Sequence, residues 1–346
     1  MSALSNRYTE LVGIEYPIVQ EGLGPFTTAK IAAAVSQAGG LGTISMPGMP
    51  EDLSEGMRTL RSHIEQCAEL TDKPFAVNLP VGVDHDGTVL PFTDTYIRGV
   101  LEARKSDAAL EKQLTVLTTS AGFPGEYCGM IKDAGLIHQH KVGSTHQARK
   151  SEDAGVDVVI AAGFEMGGHA PASRMHTFVL VPNITESISV PVLLTGGARD
   201  GRGLAAALAL GAEGVALGTR FIVSEENEDW HPHYLQAILD AAEGDDVAFT
   251  GVYGPCRGLR NEASRSLLES DVRGDVDEAE KIRSMQRAQS TGDTENGLVL
   301  AGQVAASIHE VIRISEFVPQ MADEAAAVIE QLAGSLQKQL PGRVRA

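Results

Sequence analysis

Cysteine is scarce in this chain: three among 346 residues, Cys67, Cys128 and Cys256, odd in number and far apart. That spacing excludes a disulfide framework and fits a reducing compartment. No apolar run approaches the ~20 residues of a membrane span. The opening stretch MSALSNRYTELVG has no apolar core of the kind a secretion signal carries, so a cytoplasmic protein is expected. Basic residues are also short, 28 Lys and Arg against 46 Asp and Glu, for a formal net charge of −18. Nucleic acid and anionic membrane surfaces need a basic face, so neither is expected as a partner. A small anionic ligand stays open, because a local nest of backbone amides holds an anion against the global field. What remains is ordinary for a folded protein: 43% hydrophobic and 21% charged residues. The length suits one barrel of about 250 residues with something appended.

The stretch VPVLLTGGARDGRGLAAALALGAEGVALGTRF, residues 190–221, organises the pattern. Two apolar runs, 190–195 and 214–217, end in small-residue turns at Gly196-Gly197 and Gly218-Thr219, with an Ala- and Leu-rich helical segment between them. Such a unit makes two parallel strands with a right-handed crossover, and both turns then lie at the carboxyl ends of adjacent strands. In a βα barrel, the loops after strands seven and eight form the usual phosphate site. Six further apolar runs precede them, at 14–20, 41–45, 74–79, 114–118, 136–142 and 156–161. Helical segments at 51–70, 94–110, 126–134, 145–154 and 178–187, with an earlier one stopped by Gly39-Gly40, separate the runs. Eight continuously apolar strands alternating with helices at about 25-residue spacing predict an α/β fold, a (β/α)8 TIM barrel. A doubly wound open sheet is the alternative. Domain boundaries are expected at 1–224 for the barrel, 225–305 for an appended, mainly helical lid, and 306–346 for a C-terminal helix returning to the barrel, interrupted near Pro319.

Barrel active sites gather at the carboxyl ends of the strands. Here that mouth collects Gln20 to Gly24, Asn78, Lys141, Glu165 to His169 and the two glycine turns. It lacks the carboxylate cluster of a metal-dependent hydrolase and suits a large organic cofactor with a phosphate tail. His138, Gln139, His140 and His146 mimic metal-ligand spacing, as do His231 and His233, but neither group has Cys or acidic ligands close by, so no metal is expected. Cys128 near a helix start has no assigned partner to activate it. Glu165 is either an exposed loop acid or a partner supporting the site, and Lys141 either a site residue or a solvated strand-end lysine.

The segments GIEYPIVQ, AAAVSQAGGLGTI, KPFAVNL, DVVIAAGFEMGGHAP, the 190–221 stretch and the late AGQ resemble the nitronate monooxygenase (2-nitropropane dioxygenase) family of FMN-dependent barrels. That family also includes NAD(P)H:quinone reductases and flavin-dependent enoyl reductases. The resemblance implies an FMN-dependent oxidoreductase acting on alkyl nitronates with O2, or a reductase using NAD(P)H, and leaves room for a homo-oligomer. It places the isoalloxazine near Gly22, Leu23, Gly24 and Asn78, Lys141 on the ribityl or phosphate side, and the phosphate on Gly196, Gly197, Gly218 and Thr219. Glu165 and Gly168 join the cofactor side, Gln303 the substrate side, and His169 matches the catalytic histidine, an imidazole expected to titrate near pH 7. Two departures stand out. The chain reads Gln20-Glu21-Gly22-Leu23 where relatives commonly read Gln-Gly-Gly-Met, and APASRMH follows directly after His169. Glu21 is expected at the rim facing the substrate or, alternatively, turned to solvent or paired with Lys141.

Overall fold

In the computed structural model, which describes residues 3–48, 52–83, 86–274 and 278–339, the apolar runs form eight parallel strands of one sheet. In chain order the strands are β1 (Ile18–Gln20), β2 (Gly42–Ser45), β3 (Phe75–Val81), β4 (Leu114–Ala121), β5 (Ile137–Val142) and β6 (Val158–Ala162). There follow β7 (Gly168–His169), β8 (Val192–Thr195), β9 (Gly214–Leu217), β10 (Asp246–Gly251) and β11 (Gly254–Leu259). The large sheet runs β1-β9-β8-β6-β5-β4-β3-β2, and a parallel bridge between Val19 and Leu41 joins its two ends. The sheet is therefore a closed (β/α)8 barrel.

Side-chain alternation fills the barrel. Val19, Leu41, Ala76, Val116, Val158, Ile160, Leu193 and Ala216 form one buried cluster inside it. A short helix, Arg7–Val12, plugs the amino end with Tyr8 and Val12. It was not expected from the sequence, although Asn6 and Thr9 form its capping box and Gly13 (φ +80°) ends it. Helices Ala29–Gln37, Leu53–Leu70, Gly125–Asp133, Thr145–Asp153, Thr177–Thr185 and Gly201–Ala209 pack outside. The first packs so closely that a Cβ on Gly42 would lie 1.8 Å from the Ala32 carbonyl oxygen, a contact only glycine allows.

Several expectations are corrected. The first strand begins at Ile18 rather than residue 14, because the Glu15 and Tyr16 amides donate to the Gly39 carbonyl at the preceding helix end. The helix expected over 94–110 is two, Pro91–Ser106 and Ala108–Gln113, split where Asp107 turns extended and caps the second. The region after the barrel carries helices Pro232–Leu239, Glu262–Arg273 and Glu278–Gln286, and also a hairpin: β10 and β11 pair antiparallel, and β11 adds β7, pairing Cys256 with His169 and Arg257 with Gly168. The last helix, Ile314–Gln339, runs unbroken through Pro319, which sits near its start and sacrifices one early hydrogen bond. Its residues Ile314, Val318, Met321 and Ala325 are buried in the outer barrel core. The expected helix start at Glu51 and the expected C-terminal end at Ala346 lie outside the described residues. No helix among the described residues is long and apolar enough to cross a membrane.

Candidate active site

Strand parity decides what reaches the mouth. Along β5, Gln139 and Lys141 point into the barrel, where Gln139 Oε1 accepts from Tyr8 Oη at 3.4 Å. His138 and His140 alternate to the other face, and both meet the Thr119 hydroxyl, at 2.8 Å from His138 Nε2 and 2.9 Å from His140 Nδ1. They are buried core histidines, not mouth residues.

Two joined cavities open at the carboxyl ends of the strands, of about 590 Å³ and about 100 Å³. Gly22, Gly24, Lys141 and Gly168 line both; Asn78 and His169 line the larger. Glu21, Leu23, Glu165, Gly196, Gly197, Gly218 and Thr219 line the smaller. Closure of the barrel thus brings together the expected site residues except Gln20, whose Oε1 is turned to the Thr43 amide, and Gln303. Gln303 lines neither cavity. Its side chain is exposed and donates to Asp246 at 3.4 Å, while its backbone amide donates to the Glu165 carbonyl at 3.0 Å. The neighbouring Gly302 amide donates to Thr219 Oγ1 at 3.0 Å, so this late segment buttresses the glycine turn rather than facing the cavity.

At the small-cavity end, Gly196 and Gly197 adopt φ of +99° and +83°, which side chains rarely tolerate. A Cβ on either would stand 3.4 Å from Glu165 Cγ. Glu165 is therefore not an exposed loop acid. It is buried, accepts from the Thr177 amide at 2.9 Å and from the Thr177 hydroxyl, and lies 3.1 Å from His176 Nδ1. These contacts pin the start of helix Thr177–Thr185 and hold the acid beneath the turn.

Glu21 is neither solvent-exposed nor on the rim of the larger cavity. Its Oε2 accepts from Lys141 Nζ at 2.7 Å, with both side chains largely buried, which is the ion-pair alternative considered for it. Removing one partner of such a pair costs about 3–5 kcal/mol, because the other charge is left uncompensated. Beside it, Gly22 passes so close to Asn78 that a Cβ would meet its amide nitrogen at 2.6 Å.

His169 lines the larger cavity, held by its strand pairing to Cys256 and by Tyr253, whose ring centroid is 5.1 Å away. Its Nε2 is buried with no partner among the described residues. Burial, with Lys141 and Lys281 nearby, lowers its pKa to about 4, so the imidazole does not titrate near pH 7 but stays neutral there. Sequence reading missed Tyr253, Ser144, Gln147, Ile282 and Met285, which line the same cavity. Tyr253 sits with Val252 in the two-residue turn between β10 and β11. Lys281 is buried and donates to the Gly251 carbonyl at 3.2 Å. Cys128 is buried in the first turn of its helix, and burial raises its thiol pKa, opposite to activation.

Whole-chain likeness agrees with the site. The nitronate monooxygenase family model matches residues 5–324. A probable nitronate monooxygenase from Staphylococcus saprophyticus is 34% identical over 300 residues, covering 78% of this chain and 82% of that protein. The solved structure of FabK from Thermotoga maritima superposes with a TM-score of 0.84 at 36% identity, covering 96% of this chain and 99% of that one. A nitroalkane oxidase from Streptomyces ansochromogenes superposes with a TM-score of 0.76 at 24% identity, covering 94% of this chain and all of that one, and shows the shared fold. The chain is an oxidoreductase and belongs to the nitronate monooxygenase family.

Proposed function

We propose that the chain binds one FMN noncovalently across the two joined cavities and oxidises alkyl nitronates with O2 to a carbonyl compound and nitrite, in the cytoplasm. The observation that carries this reading is the pair of cavities meeting at Gly22, Gly24, Lys141 and Gly168, with the glycine turns lining the smaller and His169 the larger. The open polar groups fit such a ligand. Glu21 Oε1, Asn78 Oδ1 and His169 Nε2 are buried without partners among the described residues, and a flavin brings N–H and O–H donors. Gly196, Gly197, Gly218 and Thr219 would hold the phosphate by backbone contacts that no side chain obstructs. The three free, buried cysteines suit a reducing cytoplasm.

When bound, FMN supplies an electron acceptor for the nitronate and a donor to O2. The chain's own contribution is positioning and electrostatics. His169 stays neutral above about pH 4, so the buried Nε2 can accept or donate one hydrogen bond to a ligand according to the tautomer that ligand selects. A base this weak removes carbon-bound protons poorly at pH 7, which favours the preformed nitronate over the neutral nitroalkane. Tyr253, Met285 and Leu300 close the apolar side of the cavity and exclude water from the reacting carbon.

A second reading, an NAD(P)H-dependent quinone or enoyl reductase on the same flavin, is favoured by the 36% identity to FabK from Thermotoga maritima. Anaerobic mixing of the FMN-loaded protein separates the two. Bleaching of the flavin by an alkyl nitronate, and not by NADH or NADPH, supports the oxidase reading. Rapid bleaching by NADH or NADPH and none by the nitronate assigns the reductase.

A further inference from the structure

Glu21 and Lys141 stand 120 positions apart in sequence, and barrel closure sets them side by side. Lys141 Nζ donates to Glu21 Oε2 at 2.7 Å, and the two side chains are only 14% and 6% exposed. Lys141 lines both cavities, and Glu21 lines the smaller. The other carboxylate lining that lobe, Glu165, accepts from Thr177 and lies 3.1 Å from His176 Nδ1, and makes no ion pair with Lys141. The second Glu21 oxygen, Oε1, is buried without a partner among the described residues. The lysine charge is thus cancelled from below before any ligand arrives.

We infer that Glu21 is a cofactor-tuning residue: its carboxylate cancels the Lys141 charge and holds bound FMN at a lower reduction potential than the lysine alone would set. The inference rests on the FMN reading above. Two electrons from a chemical reductant and one proton from solvent leave the flavin ring with one added negative charge. An uncompensated ammonium in a poorly solvated cavity stabilises that charge and pulls the potential up. A carboxylate hydrogen-bonded to the ammonium removes most of that pull. A low potential in turn suits a site that hands its electrons on to O2.

The test is equilibrium titration of the FMN-loaded protein with dithionite, anaerobically and against a reference dye. Wild type, Glu21→Gln, Lys141→Met and the double variant are compared. Glu21→Gln should raise the flavin's reduction equilibrium constant at least tenfold, about 30 mV for a two-electron couple. Lys141→Met should shift it the opposite way, and the double variant should return close to wild type. Should Glu21→Gln fail to fold, the double variant against Lys141→Met reads the same neutralisation and should again shift upward. An unchanged or lowered potential on neutralising Glu21 overturns the inference alone. A wild-type chain that takes up no FMN overturns the FMN reading, and this inference with it.

Discussion

Acidification from pH 7.5 to 4.5 should strip most of the stability from this fold, and three histidines carry that expectation. His138 and His140 share the single Thr119 hydroxyl, whose one proton can be donated to only one ring, and that ring's nitrogen must be unprotonated to accept it. Burial lowers the His138 pKa to about 4 and, with His138 beside it, the His140 pKa to about 3; His169 lies at about 4. In the unfolded chain each would titrate near 6.5. Between roughly pH 6.5 and 4 the unfolded state therefore binds more protons than the native state. The stabilisation from burying neutral rings is complete above 6.5, declines as the pH falls, and levels off below the native values. Three such protons give a slope of up to about 4 kcal/mol per pH unit. Over two pH units that rivals the roughly 5–15 kcal/mol holding a domain folded. Urea titrations of the cofactor-free protein, followed by circular dichroism at pH 7.5, 6.5, 5.5 and 4.5, read the effect. A midpoint that stays constant down to pH 5, or a His138→Gln variant that keeps the full slope, would refute the reasoning.

At the site, Gly197→Asp puts a side chain at φ +83° against Glu165 and a second negative charge beside the phosphate position, so FMN should be almost entirely absent from the purified variant. Its flavin content, measured after denaturation, checks this. His169→Asn removes the unpartnered Nε2 and should lower nitronate turnover by about 100-fold while FMN content and melting temperature stay near wild type. Steady-state oxygen uptake with an alkyl nitronate is the assay, and wild-type turnover would take His169 out of the chemistry.

The barrel was legible because its strands are buried on both faces and read as apolar runs; the run at 214–217 coincides with β9. The small sheet at the mouth was legible only in part: the run at 247–252 reads as a short strand and coincides with β10. β7 is two residues long, and β11 reads Gly-Pro-Cys-Arg-Gly-Leu, with no alternation to mark a strand. Only tertiary pairing makes them one, and the same pairing fixes His169. Glycine turns and loop residues could be assigned to the mouth because the fold dictates where strand ends go. Glu21 could not be resolved, because its partner arrives from β5 through closure of the barrel. The basicity of His169 was likewise invisible: it depends on burial and on Lys281, a residue from a helix outside the barrel. Gln303 was misassigned because the late segment reaches the site through its backbone, leaving the side chain outside.

The central claim is that the two joined cavities hold FMN, with the small lobe reserved for its phosphate. Fluorescence titration of the cofactor-free protein with FMN and, in parallel, riboflavin tests it most directly. The account predicts one FMN per chain, bound at least roughly 100-fold more tightly than riboflavin, since only FMN brings the anion the glycine turns would hold. Equal affinity for the two flavins, or no saturable binding of either, would contradict it.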